Sequence, residues 1–132
     1  MTTGLDTSVV LRLLTGVPAE QAELARVFVS SQTSPVLVSD LVVGETYFAL
    51  KHHYGAPHQE AVRSLSALLA DARLQGSGVA HAVLAALALR PAAKNAPGLL
   101  DRLIHADYDR DANTLATFDK DLSRLPNVHL LA

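Results

Sequence analysis

Four carboxylates in this chain, Asp6, Glu45, Asp101 and Asp119, are far apart in sequence yet recur at matching places in its pattern. Asp6 ends an opening apolar segment, Met1 to Leu5, and Asp119 follows the strand-like Thr114-Leu115-Ala116-Thr117. Asp101 falls in the first turn of a late helical pattern. Glu45 lies within the helical pattern that follows Val36-Leu37-Val38. In an open parallel sheet the carboxyl ends of the strands gather at one edge, and ligands bind there. Acids collected at such an edge repel one another unless a cation joins them, and oxygen donors suit hard cations such as Mg²⁺ or Mn²⁺. Such an ion lowers the pKa of an attacking water and stabilises charge on the leaving oxygen of a phosphodiester.

Each acid also has a plainer reading. Asp6 and Asp119 each sit where a side chain caps the helix that follows. Asp101 complements a helix dipole, an effect of roughly 0.3–1 kcal/mol. Glu45 is different, because its neighbours three and four positions away, Leu41, Val42, Phe48 and Ala49, are all apolar. That pattern predicts a carboxylate facing the core, where it must be neutral, paired or bound to metal. A salt bridge to Arg12 is the plainer alternative. Ser8 and Thr117 stand beside the acids, where a hydroxyl orients a carboxylate or a metal-bound water, and Ser8 equally well caps its own helix. Asp121, two residues beyond Asp119, is expected to face solvent. Arg12, Arg26, Lys51 and Arg63 either contact phosphates or belong to the solvated surface.

The six histidines form no site. His52 and His53 are adjacent and point to different helix faces, while His58, His81 and His129 have no constellation. His105 is one turn beyond Asp101, with packing as its plainer role. No HExxH, GxSxG or P-loop motif occurs, and no cysteine, which removes zinc-protease, hydrolase-elbow, nucleoside-triphosphatase, disulfide and thiolate chemistry.

These residues must be positioned by a chain of 132 residues, 49% apolar and 18% charged, enough for one globular domain over 1–132. The net charge of −2 gives no basic field to attract nucleic acid, although bound cations would supply positive charge. The opening residues lack the basic and apolar regions of a signal peptide, and Val79 to Leu89 is too short to span a bilayer. A cytoplasmic protein without a membrane segment is the expectation. Apolar runs alternate with helical patterns, as in α/β folds with crossover helices. The pattern predicts a strand ending at Leu5 and a short helix stopped by Gly16. A second helix with Pro18 in its first turn runs to about Ser30. A strand at 36–38, a helix from Ser39 or Asp40 to about Tyr54 and another from Pro57 through Ala70 follow. Arg73-Leu74-Gln75 reads as a short edge strand, Val79 to Leu89 as a buried helix, and Arg90 to Ala96 as a loop. A helix from Leu99 to about Tyr108, a strand at 114–117, a turn or helix after Asp119 and a strand at 128–131 complete the chain.

In ordered succession, four segments resemble the acidic motifs of PIN domains, and of their VapC-type toxin branch in particular. They are Gly4-Leu5-Asp6-Thr7-Ser8-Val9-Val10, Val38-Ser39-Asp40-Leu41-Val42-Val43-Gly44-Glu45, Gly98-Leu99-Leu100-Asp101-Arg102-Leu103-Ile104 and Thr117-Phe118-Asp119-Lys120-Asp121-Leu122. The resemblance spans nearly the whole chain. It implies a three-layer α/β/α fold around a central parallel sheet of about five strands. It also implies a Mg²⁺- or Mn²⁺-dependent endoribonuclease with Asp6, Glu45, Asp101 and Asp119 as catalytic and metal-binding acids, RNA as substrate, a cognate antitoxin protein and a homodimer. Arg102 departs from the small residue common at its place, which would alter the charge of an acidic pocket. Two rivals stand beside this reading: a non-catalytic PIN-like module that only binds protein or RNA, and a phospho-acceptor receiver domain. The receiver needs an early acid pair, and Asp6 has no acidic neighbour.

Overall fold

The computed structural model describes residues 2–89, 93 and 95–131. Six α-helices and short parallel strands follow in the order α1 (Thr7–Thr15), α2 (Ala19–Ser31), β1 (Val36–Val38), α3 (Asp40–His52), α4 (His58–Leu69), β2 (Leu74–Gly76), α5 (Ala80–Ala88), α6 (Leu99–Arg110), β3 (Leu115–Thr117) and β4 (Val128–Leu130), with a 3₁₀ turn at Leu122–Arg124 before β4. The class is α/β, as the alternation of apolar runs and helical patterns predicts. The expected helix end before Pro91 and most of the loop after it involve Arg90, Pro91, Ala92 and Lys94, which lie outside the described residues, as does Met1.

Local chemistry explains the boundaries. Asp6 caps α1 through Val9 N, and the helix ends at Gly16, whose φ of 71° suits a residue without a Cβ. Ser39 caps α3 by accepting from Val42 N at 3.2 Å. Pro57 precedes the first turn of α4 rather than donating to it. Pro18 likewise stands just before α2 instead of inside its first turn.

The expected single sheet of about five strands is not what forms. β1 pairs in parallel with β2, Val36 opposite Leu74, and the weakly patterned edge strand is therefore real, shifted by one residue. On the other side of β1, the extended Thr3–Leu5 segment makes a parallel bridge through Leu5 N to Leu37 O (2.9 Å) and Leu37 N to Thr3 O (2.8 Å). β3 and β4 pair in parallel as a separate two-stranded sheet, Leu115 opposite Val128. The outer edge of Thr3–Leu5 opens instead on a cleft lined by α1 and α2. A parallel strand needs burial on both faces to be stable. β1 comes nearer to that, with Val36 and Val38 buried on one face and Leu37 half-buried on the other, whereas the residues of β3 and β4 are at best half-buried.

The core gathers around β1: Val10 of α1, Val43 of α3, Leu65 of α4, Leu84 of α5 and Leu99 of α6 are all buried with Val36 and Val38. Two close approaches tie its helices. Asp40 reaches across the fold to accept from Val79 N (3.1 Å) and Ala80 N (3.0 Å), capping α5 from the first residue of α3. Gly78 allows this, because a Cβ there would overlap the Asp40 carboxylate. At the α3–α6 crossing, a Cβ on Gly44 would come within 2.7 Å of Leu100 Cδ2, so the Leu100 side chain packs directly on Gly44. Among the described residues, no helix is long and apolar enough to cross a membrane.

Candidate active site

Asp6 leaves the end of the Thr3–Leu5 segment in extended conformation and is exposed. Its Oδ1 accepts from Ser8 Oγ at 2.6 Å and from Val9 N at 3.2 Å. These donors hold its carboxyl below the ordinary 3.8; the Ser8 hydroxyl contributes most, then the Val9 amide, and the Arg12 charge least. Oδ2 takes no hydrogen bond among the described residues. Capping and availability therefore coexist in one side chain: one oxygen is spent on the helix and the other is left.

Glu45 stands where the sequence placed it in α3 but not as the sequence oriented it. It is exposed, and its apolar neighbours Leu41 and Phe48 are 82% and 55% exposed. The buried face of α3 is Val43, Gly44, Thr46, Tyr47 and Leu50. The inward reading fails because α3 carries apolar residues all round, so periodicity alone does not tell which side meets β1. Its partner is not Arg12 but Thr7, whose Oγ1 donates to Glu45 Oε1 at 2.9 Å across 38 residues of sequence. That bond joins the residue after Asp6 to the second acid.

Asp101 is half-buried in the first turn of α6, with no hydrogen bond or ion pair among the described residues. It follows Leu100, which packs on Gly44, so Glu45 and Asp101 each stand one residue beyond the same helix crossing. Arg102 Nε donates to Pro97 O at 3.3 Å, and its charge is felt at His58. Asp119 is exposed after β3; its Oδ1 accepts from Asp121 N (2.8 Å) and Leu122 N (3.3 Å), capping the 3₁₀ turn. Thr117 Oγ1 accepts from the backbone N–H of Asp119 at 3.0 Å, so it shapes the turn rather than touching the carboxylate. Asp121 pairs with Arg124 at the surface.

The structure thus brings the acids together in part. Asp6 and Glu45 are linked through Thr7, whereas Asp101 stands on α6, whose Leu100 packs on Gly44, and Asp119 is carried by the separate β3–β4 sheet. No three His, Asp or Glu side chains among the described residues are grouped closely enough to hold a metal ion. The donor chemistry fits a hard cation, since all four candidates are carboxylates and no thiolate competes. Their placement does not assemble a metal site.

Beside the acids runs a groove of about 800 Å³ between α3 and α6, with Leu41, Phe48, Leu100 and Ile104 exposed along it and Asp40, Glu45 and Asp107 at its rim. Two residues carry structural roles that pattern reading did not single out. Asp40 is the cap of α5 described above. His58 Nδ1 lies 2.6 Å from Tyr47 Oη, and burial, with Lys51 and Arg102 nearby, holds the imidazole below its ordinary 6.5. The sequence signal for His58 was its place one residue after Pro57, in the first turn of α4, where it is half-buried. His105 has the expected packing role, its Nε2 2.7 Å from Pro126 O, which fastens α6 to the turn before β4.

No curated protein and no solved structure matches the chain. The PIN domain family model matches residues 5–128, which takes in all four acids and the chain from the end of the Thr3–Leu5 segment to the start of β4. PIN domains are generally nucleases, with nucleic acid as substrate. On this match the chain belongs to the PIN domain family.

Proposed function

We propose that this PIN domain is a Mg²⁺- or Mn²⁺-dependent endoribonuclease and the toxin of a type II toxin–antitoxin pair of the VapC kind, acting as a homodimer held in check by a cognate antitoxin. The observation that carries the proposal is the Thr7–Glu45 hydrogen bond, which ties the first acidic motif to the second within a chain that matches the family from 5 to 128. Asp6, Asp101 and Asp119 are the proposed metal ligands, with Glu45 binding directly or through water. The ion would supply a water of lowered pKa and charge stabilisation at the leaving oxygen. The chain's own contributions are orientation: Ser8 fixes Asp6, Thr7 fixes Glu45, and the backbone amides of Asp121 and Leu122 fix Asp119, in each case through one carboxylate oxygen. A carboxylate held by one oxygen loses little entropy when the other engages a ligand.

The test compares wild type with Asp6→Asn and Asp119→Asn on structured RNA, with Mg²⁺ or Mn²⁺ and then with EDTA. Cleavage by wild type alone, abolished by EDTA, is expected, along with growth arrest on expression that both substitutions relieve. Equal cleavage by all three proteins, or cleavage indifferent to EDTA, sinks the mechanism. The alternative, a non-catalytic PIN-like module that binds a protein or RNA, is favoured by the apolar α3–α6 groove. It predicts intact RNA under every condition.

A further inference from the structure

The cleft on the open side of Thr3–Leu5 is a second feature of the acidic edge, distinct from the α3–α6 groove. Asp6 and Ser8 form part of its wall, Arg12 and Gln21 stand in it, and Leu24 and Phe28 of α2 line it. Its volume of about 850 Å³ is enough for a nucleotide. Arg12 is unlike most other described arginines. Arg26, Arg73, Arg110 and Arg124 each pair with a carboxylate two or three residues away, so their charge is locally neutralised. Arg102 is turned to the Pro97 carbonyl, and Arg63 sits on the exposed side of α4. Arg12 is half-buried, and its Nε donates to the neutral Gln21 Oε1 at 2.8 Å. It forms no ion pair with Asp6 despite sharing the cleft, and its two terminal nitrogens make no hydrogen bond among the described residues.

A guanidinium anchored by a neutral acceptor keeps its full positive charge and is pre-oriented, with its terminal donors left for a ligand. In a chain of net charge −2, beside a carboxylate that would repel a phosphate, such a cation has a definite use. We propose that Arg12, held by Gln21, binds a backbone phosphate of a single-stranded nucleic acid lying in this cleft, with a neighbouring base against the exposed apolar side chains of Leu24 and Phe28. Sites that take single strands without reading sequence combine positive charge for the backbone with aromatic surface for the bases, and Arg12 and Phe28 supply one group of each kind here. The phosphate contact positions the strand relative to Asp6; Arg12 is a positioning residue and not a catalytic one. The proposal rests on the nuclease reading above and adds to it the cleft the strand enters.

The experiment measures binding of a fluorescein-labelled single-stranded RNA oligonucleotide by anisotropy in EDTA, where the proposed cleavage is off, from about 50 to 200 mM KCl. Wild type is expected to bind with a salt-dependent affinity. Arg12→Ala should weaken binding severalfold and flatten the log–log salt slope by about 0.7, the loss of one phosphate contact on a single strand. Arg12→Lys should keep most of the slope. Gln21→Glu leaves Arg12 in place but gives it a carboxylate partner, and should mimic Arg12→Ala; it decides the matter if Arg12→Ala folds poorly. Arg63→Ala, which removes the same charge elsewhere, should bind as wild type does. Unchanged slopes in Arg12→Ala and Gln21→Glu, or an equal loss in Arg63→Ala, would overturn the assignment while leaving the nuclease reading standing. Wild type that neither binds nor cleaves RNA would overturn both.

Discussion

Substituting Gly78 by alanine tests how α3, the helix that bears Glu45, is fixed to the rest of the fold. An alanine Cβ would overlap all three carboxylate atoms of Asp40, so the Asp40 side chain must leave its place. It then abandons two hydrogen bonds to backbone amides, Val79 N at 3.1 Å and Ala80 N at 3.0 Å, at the start of α5. Loss of a capping carboxylate costs about 0.5–2 kcal/mol. Overpacking adds about 1–3 kcal/mol where the backbone cannot yield. The expected cost of Gly78→Ala is therefore about 1.5–5 kcal/mol, against about 0.5–2 kcal/mol for Asp40→Ala, which loses the cap without the overlap. At roughly 3–5 °C per kcal/mol for a domain of this size, Gly78→Ala should lower Tm by about 5–25 °C. Urea denaturation followed by circular dichroism gives the free energies directly. The decisive measurement is the double variant: with Asp40 already truncated, Gly78→Ala should cost much less than it does alone. Additivity within about 0.5 kcal/mol would refute the reasoning, because it would mean the two residues do not meet.

Two other perturbations address the site and its support. His58 is held below 6.5 mainly by burial, so the folded state takes up its proton later than the unfolded chain does. The associated stability is complete above 6.5 and falls as pH drops from there through the folded pKa; His58→Asn, which can still hydrogen-bond with Tyr47, should remove that part of the acid slope in denaturation measured at successive pH values. An identical slope in the variant would count against the buried, neutral imidazole. Thr7→Val removes the hydroxyl that Glu45 accepts from while keeping side-chain volume, and should lower kcat for RNA cleavage about tenfold with KM and fold stability nearly unchanged, whereas Thr7→Ser should retain activity. A Thr7→Val enzyme as fast as wild type would show that the bond does not position Glu45 for the reaction.

The helices were legible because their ends are written in local chemistry. Ser39 and Asp6 as caps, Gly16 as a stop and Pro57 as an opener each act within four residues, and the structure uses all of them. Strand existence was legible for β1, β3 and β4 and for the weak Leu74-Gln75 segment, while the expected opening strand forms only a bridge at Gly4. Sheet assembly was not. Which edge a three-residue strand joins depends on what covers its faces, and Leu115-Ala116-Thr117 has too few side chains to specify a neighbour. β3 pairs with β4, and the open side of Thr3–Leu5 faces α2 across a cleft.

The same limit governs the acids. Capping and ligand roles were weighed as alternatives for Asp6 and Asp119, yet in both residues one oxygen caps and the other is left over, so the two roles reinforce each other. For Glu45 the apolar neighbours pointed inward, and the inference failed because Leu41 and Phe48 belong to an exposed groove. A carboxylate at the rim of an apolar groove pays almost no desolvation cost, so burial no longer argues for a metal at Glu45. What argues for its functional role is the hydrogen bond from Thr7, a long-range link that no spacing rule reveals. The weight of the metal proposal accordingly moves from one unusual residue to the link that Thr7 makes between the first acidic motif and Glu45, which is why Thr7→Val is a sharper probe of this site than any change to the groove.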